Sequence, residues 1–274
     1  MELEKVLPAV RQRKPLVQCI TNFVTVNDCA NIILASGGSP TMASHPLEVE
    51  EAVSQVQALV CNMGAIDSIE SMILAGREAN RRGIPVVLDP VGAGGTRLRR
   101  EAVRKLLAGV HFSAIRGNAS EIRYLAGQET SGSGVDVSDM DEITEENLDA
   151  ALSMAAELAE KLDTVIAISG KIDVISRGKE SCVLRNGCAT MARITGSGCM
   201  LTSLIGAFCG AWEDAFAAAC SAMAAMGISG ELAEAKRLLQ GSGNATFRND
   251  LIDAVFNLTE DGLKKGARYE IYER

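Results

Sequence analysis

The chain has 274 residues, and 27 Lys and Arg against 35 Asp and Glu give it a formal charge of −8. An acidic surface repels phosphate backbones, and 4% aromatic residues are too few for a base-stacking platform, so the composition argues against nucleic acid as the main partner. Apolar residues at 47% can bury a large core, and only two histidines are available for acid–base chemistry.

Residues 16–20 read as a strand, and 26–35 as a helix ending at Gly37 and Gly38. Residues 58–62 form a second strand before Gly64, and 68–82 a helix stopped by Gly83. The third strand, 85–89, is apolar on both faces until its final acid, as a buried parallel sheet requires. A helix at 97–107, a strand at 112–115 and a short helix at 120–126 follow. The Gly- and Ser-rich stretch 128–138 and the acidic run 139–146 read as a solvated loop inside one domain, because the strand pattern resumes after them. Residues 144–161 predict a long helix and 164–168 a strand, then an antiparallel pair at 173–176 and 181–184 turning around Arg177-Gly178-Lys179. From 199 to about 258 the chain reads as nearly all helix.

Strand–helix alternation predicts one α/β domain over residues 1–274, with a mostly parallel sheet covered by helices on both faces. The functional site is then expected beyond the carboxyl ends of the strands. Residues 194–212 carry no charge but contain the loop residues Thr195-Gly196-Ser197-Gly198. Glu213 and Asp214 then interrupt, so this segment and 215–230 read as a buried helical hairpin rather than a membrane span. The eight cysteines show no CxxC spacing and no ligand-like spacing with His45 or His111, which gives zinc no support. Free thiols and an N-terminus without a signal-peptide pattern suggest a reducing cytoplasm.

Two glycine motifs fail on inspection. Gly92-Ala93-Gly94-Gly95-Thr96-Arg97 lacks the third glycine of a dinucleotide loop. Ser169-Gly170-Lys171-Ile172 has Ile172 where a Walker A loop needs Ser or Thr, and Val165 where it needs Gly. Three others remain. Thr195-Gly196-Ser197-Gly198-Cys199 precedes a helix whose free amides and dipole suit an anion, although glycine turns of this kind also join elements for purely structural reasons. Asp89-Pro90-Val91-Gly92 ends a strand with an acid that could enter a magnesium shell or simply cap a turn. In Arg116-Gly117-Asn118-Ala119-Ser120-Glu121 the spacing of Asn118 and Glu121 is that of a capping box. A cation and an acid together at a predicted crevice favour a functional role as well.

Cys19-Ile20-Thr21-Asn22, Gly38-Ser39-Pro40-Thr41-Met42-Ala43 and the segments containing Asp89, Arg116 and Cys199 occur in that order. Together, over residues 15–258, the sequence closely resembles the hydroxyethylthiazole kinases of thiamine salvage. The resemblance implies a ribokinase-like fold without a separate lid. It also implies a homotrimer with active sites at the subunit interfaces. The implied reaction moves the γ-phosphoryl of ATP, with magnesium, to the hydroxyl of 4-methyl-5-(2-hydroxyethyl)thiazole. By position, Met42 and Gly196 would contact the thiazole with Asn22 and Gly64 nearby. Arg116, Ser169, Asn118 and Thr195 would serve ATP, Asp89 and Glu121 the metal, and Gly196, Gly198 and Cys199 the transfer itself. The family commonly has Thr at the position of Ser169, a change that keeps the hydroxyl.

Ribokinase relatives usually carry an Asp base where Cys199 stands. A thiol at a helix N-terminus is expected to have a lowered pKa, so the reading includes a thiolate, with the backbone amides mattering more than the sulfur. Rival readings are a hydroxymethylpyrimidine kinase, an ADP-dependent hydrate dehydratase, or a non-catalytic nucleotide-binding protein. His45 falls in a loop near the expected pocket, His111 reads as structural, and Lys171 fits either an ATP contact or a hairpin surface.

Overall fold

The computed structural model describes residues 1–128 and 142–273. Its strands are β1 Leu16–Ile20, β2 Ser39–Thr41, β3 Ala58–Asn62, β4 Val86–Asp89, β5 Ala114–Asn118, β6 Val165–Ser169, β7 Asp173–Arg177, β8 Glu180–Leu184 and β9 Tyr269–Glu273. All belong to one sheet of order β2-β1-β3-β4-β5-β6-β7-β8-β9. Pairing is parallel from β2 to β6 and antiparallel from β6 to β9.

Alternation along each strand divides the core. Ala58 and Val60 of β3 face one cluster, while Leu59 and Cys61 face the other. The first cluster is closed by α1 Val6–Arg13, α2 Val26–Ser36, α8 Ser197–Ala211, α9 Ala215–Gln240 and α10 Asn244–Asn257. The second is closed by α3 Val49–Val53, α4 Ile69–Arg82, α5 Arg97–Gly109, α6 Ala119–Leu125 and α7 Leu148–Leu162. Both faces of the central strands are therefore apolar, and polar side chains gather at the strand ends. A final helix, α11 Glu260–Gly266, returns the chain to β9.

The helical hairpin is formed by α8 and α9, broken at Trp212, Glu213 and Asp214. Asp214 caps α9 by accepting from the amides of Phe216 and Ala217. Helix α9 is long and apolar enough to cross a membrane, but 83% of its most apolar window is buried inside the fold. The small residues of α8 pack on the chain's own sheet: a Cβ added at Gly206 would run into Val60 Cγ2.

Several elements depart from the sequence expectation. Strand β5 extends through Arg116-Gly117-Asn118, because parallel pairing with Ala167, Ile168 and Ser169 outweighs their polar character. Helix α7 starts only at Leu148, since the Asn147 side chain accepts from the Thr144 amide at 2.8 Å and holds a turn there. Helices α1, α3 and α11 and strands β2 and β9 were not anticipated. β2 carries Pro40 and lies at the sheet edge, where a missing N–H is tolerated. Most of the expected loop at 128–138 lies outside the described residues.

Val60 is β-branched and held in the sheet, so it cannot move aside cheaply. Gly206→Ala is expected to cost about 1–3 kcal/mol by overpacking. The check is urea unfolding, read as a lower midpoint at unchanged m-value.

Candidate active site

The carboxyl ends of β1, β3, β4, β5 and β6 lie side by side. Register places Asn62 opposite Asp89 and Asn118 opposite Ser169. The amino end of α8 lies against the same edge: a Cβ on Gly198 would sit 2.5 Å from Arg116 Nη1, so only glycine allows the guanidinium this close. The free amides of the first turn of α8 and a guanidinium thus converge on one spot.

Asp89 is 1% exposed. Its Oδ2 accepts from Thr202 Oγ1 at 2.8 Å and Asn62 Nδ2 at 3.0 Å, and lies 3.6 Å from Arg116 Nη1. Its Oδ1 is buried and has no donor. Burial pushes the carboxyl pKa upward, against the pull of Arg116 and the two hydrogen bonds. Glu121 is almost as buried. Its two oxygens accept from the Gly92 and Asn118 amides, each at 2.9 Å, while Asn118 Oδ1 accepts from the Glu121 amide at 2.8 Å. The capping box is real, and the Gly92 bond also ties it to the loop that follows Asp89. Burial first, and then the charge of Asp89, raise the Glu121 pKa to about 7. Arg116 Nη2 donates to Ser169 Oγ, and its buried Nε has no acceptor.

Cys199 overturns one expectation. Its thiol is not a low-pKa group: burial, followed by the charge of Asp89, pushes it up to about 11. The helix N-terminus is outweighed by desolvation. The sulfur instead receives N–H groups from Asn62 at 3.2 Å and Asn22 at 3.6 Å. Asn62 Oδ1 in turn accepts from the Gly64 amide at 2.8 Å and from Asn22 Nδ2 at 3.3 Å. Asn22, Gly64, Cys199 and Asp89 therefore meet at one asparagine.

Met42 is half-buried just beyond β2, and the carbonyl of its neighbour Ala43 accepts from buried Gln18 Nε2 at 2.9 Å. Thr195 is exposed immediately before the α8 turn, and Gly196 begins that turn in the left-handed region, with φ at +82°. His45 is exposed, with Nδ1 accepting from the Leu47 amide at 3.2 Å. The His111 ring lies at the opposite end of the sheet, 2.8 Å from the Asp163 carbonyl. That end also holds a cavity of about 740 Å³ beside Gln57, Pro85, Ser113 and Trp212. None of the strand-end groups just described lines it.

Four residues were missed by sequence reasoning. Asn62 ends an apolar strand with a polar side chain, as Asp89 does, and that signal was available. Thr202 is a lone hydroxyl in a charge-free helix. Arg99 donates to the carbonyls of Met63 at 3.0 Å and Val91 at 2.7 Å, clipping two site loops together. Asp173 is 8% exposed and accepts from the Gly170 amide at 2.9 Å; burial raises its pKa to about 7. Among the described residues, no cluster of three His, Cys, Asp or Glu side chains is arranged to hold a metal.

Comparison with known proteins accounts for this arrangement. The model of the hydroxyethylthiazole kinase family matches residues 7–261. A hydroxyethylthiazole kinase of Clostridium botulinum strain Eklund 17B is 47% identical over 98% of this chain and 96% of its own length. One from Desulfovibrio desulfuricans is 45% identical over 97% and 96%. A solved hydroxyethylthiazole kinase protein from Pyrococcus horikoshii OT3 superimposes with a TM-score of 0.86 at 33% identity, covering 99% of both chains. A Bacillus subtilis pyridoxal kinase in an ADP complex shares only the fold, with a TM-score of 0.57 at 14% identity over 78% of this chain and 90% of its own. The fold is ribokinase-like, and similarity over nearly the whole length makes this chain a kinase belonging to the hydroxyethylthiazole kinase family.

Proposed function

We propose that the chain transfers the γ-phosphoryl of ATP to the hydroxyl of 4-methyl-5-(2-hydroxyethyl)thiazole, as a single kinase domain over residues 1–274. The observation that carries this reading is the meeting of the α8 amides, Arg116 and Asp89 at the strand ends, within a family of this activity. The thiazole alcohol would lie by Met42, Gly64, Asn22 and Gly196. Arg116, Ser169, Asn118 and Thr195 would meet the nucleotide.

The residues fit a magnesium ion. Asp89 Oδ1 is a buried oxygen without a donor, and buried carboxylates here outnumber the guanidinium that faces them. Magnesium commonly takes only one or two carboxylates and completes its shell with water and phosphate oxygens, so the lack of a three-residue cluster is no obstacle. Asp89 would hold it directly. Glu121, with both oxygens already accepting amides, would hold its water. When bound, the ion neutralises charge on the transferring phosphates.

In the transfer, the alcohol oxygen forms the new bond to the γ-phosphorus as the bond to the β-phosphate oxygen breaks, and ADP leaves. The hydroxyl proton is lost to solvent or phosphate oxygen rather than to Cys199, because a thiol with a pKa near 11 is already protonated at neutral pH. Arg116 and the amides of residues 197–199 hold the developing equatorial charge. The exposed side chains of Phe23 and Val24 lie beside Asn22 in the chain, and that of Leu47 lies beyond Met42. A trimer that buries them would set a second protomer beside the proposed acceptor site. Eight free thiols suit a cytoplasmic setting.

ADP release is expected with the thiazole alcohol and magnesium, measured in a coupled assay. Turnover only with hydroxymethylpyrimidine, or with neither alcohol, would overturn the reading. Cys199→Ala is expected to lower kcat at most about tenfold, or about 1.4 kcal/mol; a loss near a thousandfold would make the thiol an essential base. A pH effect also follows. Glu121 and Asp173 are held above their unfolded pKa values, at about 7. Their contribution to stability is complete below about pH 4 and lost as pH rises through about 7. Unfolding of the metal-free protein in denaturant should show this decline, and Asp173→Asn should flatten it.

A further inference from the structure

The segment Ser169-Gly170-Lys171-Ile172 is not a Walker loop, yet it occupies the edge where the proposed nucleotide phosphates would lie. It is the reversal between β6 and β7, with Ile168 paired to Val174 across the antiparallel ladder. Three residues, Gly170, Lys171 and Ile172, bridge the strands, and Lys171 at the tip is exposed. One side chain closes the turn: Asp173 Oδ1, the first residue of β7, accepts the Gly170 amide at 2.9 Å. A carboxylate that is 8% exposed has been withdrawn from water to do so.

The choice of an acid is informative. A hairpin turn can be closed by Asn, Ser or a backbone carbonyl without burying a charge. Asp173 adds electrostatic attraction toward Arg116, which donates to Ser169 Oγ and faces Asp89 from its other side. The acid thus acts at two points of one assembly. Its hydrogen bond sets Gly170 and the adjacent Ser169, and its field holds the guanidinium over the sheet edge.

We infer that Asp173 is a positioning residue for the nucleotide: it fixes the Ser169–Gly170 turn and the Arg116 guanidinium in the geometry that receives the ATP phosphates. This rests on the nucleotide reading of Ser169 and Arg116. Asp173 reaches neither the acceptor alcohol's proposed neighbours nor Cys199 by any hydrogen bond among the described residues.

The test uses the purified full chain, with steady-state kinetics for both substrates and calorimetric titration of ADP. Asp173→Ala is expected to raise the KM for ATP and the Kd for ADP about tenfold while the KM for the thiazole alcohol stays within about twofold. Asp173→Asn keeps an acceptor oxygen for Gly170 but not the charge that attracts Arg116, so it is expected to recover part of that loss and not all of it. A general loss of folded protein would lower kcat and leave both KM values alone, so the split between substrates separates positioning from mere stability. An unchanged ADP Kd in folded Asp173→Ala, an equal rise in both KM values, or an Asn variant as weak as Ala would each overturn the inference. If the Ala variant does not fold, Asp173→Val, which fills the buried strand position but offers Gly170 no acceptor, takes its place under the same expectations. Ser169→Ala is the control on the underlying reading. If it leaves ADP binding untouched, the nucleotide assignment itself falls. If it weakens ADP while Asp173→Ala does not, only the role of Asp173 falls.

Discussion

Three buried carboxyl groups share one guanidinium. Asp89 on β4, Glu121 on α6 and Asp173 on β7 all feel the charge of Arg116, and burial raises the pKa of each. A single buried pair can balance its desolvation with attraction and hydrogen bonds, but three acids around one cation cannot. The imbalance is relieved by protonation or by bringing in more positive charge. Further negative charge at this edge would make matters worse for the acids, so the site favours positive charge. Asp89 Oδ1, buried without a donor, is where that need is most local.

The same charge distribution explains why the thiol of Cys199 stays protonated. Asp89 acts on it as a like charge once it ionises, and the surrounding wall is dry. A site organised this way leaves proton abstraction to weak groups and concentrates on orientation. That division suits phosphoryl transfer through a loose transition state, in which the nucleophile needs little activation before bond formation. Amides fixed by α8 and a guanidinium pressed against Gly198 require no rearrangement when charge develops, which is where preorganised dipoles have their advantage over water.

The centre of the fold was legible because its strands are continuous apolar runs, each ended by a polar residue. Asp89 and Arg116 stood out as charges following such runs. Their partners did not. Thr202 lies 113 residues from Asp89 and reads as one more small residue on a packed helix. Asn62 is 27 residues away and carries no charge to draw notice. The elements missed at the two ends of the chain owe their existence to docking rather than to pattern: β9 is a strand because β8 offers it an open ladder, and α1 because Val6, Leu7 and Val10 bury against α8 and α9. The thiol was misjudged for a related reason. Position on a helix is visible in sequence, whereas the depth of burial that overrides it is a tertiary property.

Asn62 shows how tightly the two halves of the site are joined. One amide group gives its N–H donors to Asp89 and to the Cys199 sulfur, and its oxygen takes the Gly64 amide and the Asn22 side chain. Asn22 also caps its own loop by accepting from the amides of Val24 and Thr25. The strand ends β1, β3 and β4 and the start of α8 are thereby cross-linked through side chains no longer than asparagine. A short linkage of this kind has little freedom, so the loops after β1 and β3 cannot shift without disturbing the orientation of Asp89. With Thr202 and Asn62 both committed to Oδ2, the carboxylate has one rotational setting that satisfies its partners, and that setting leaves Oδ1 buried without a donor.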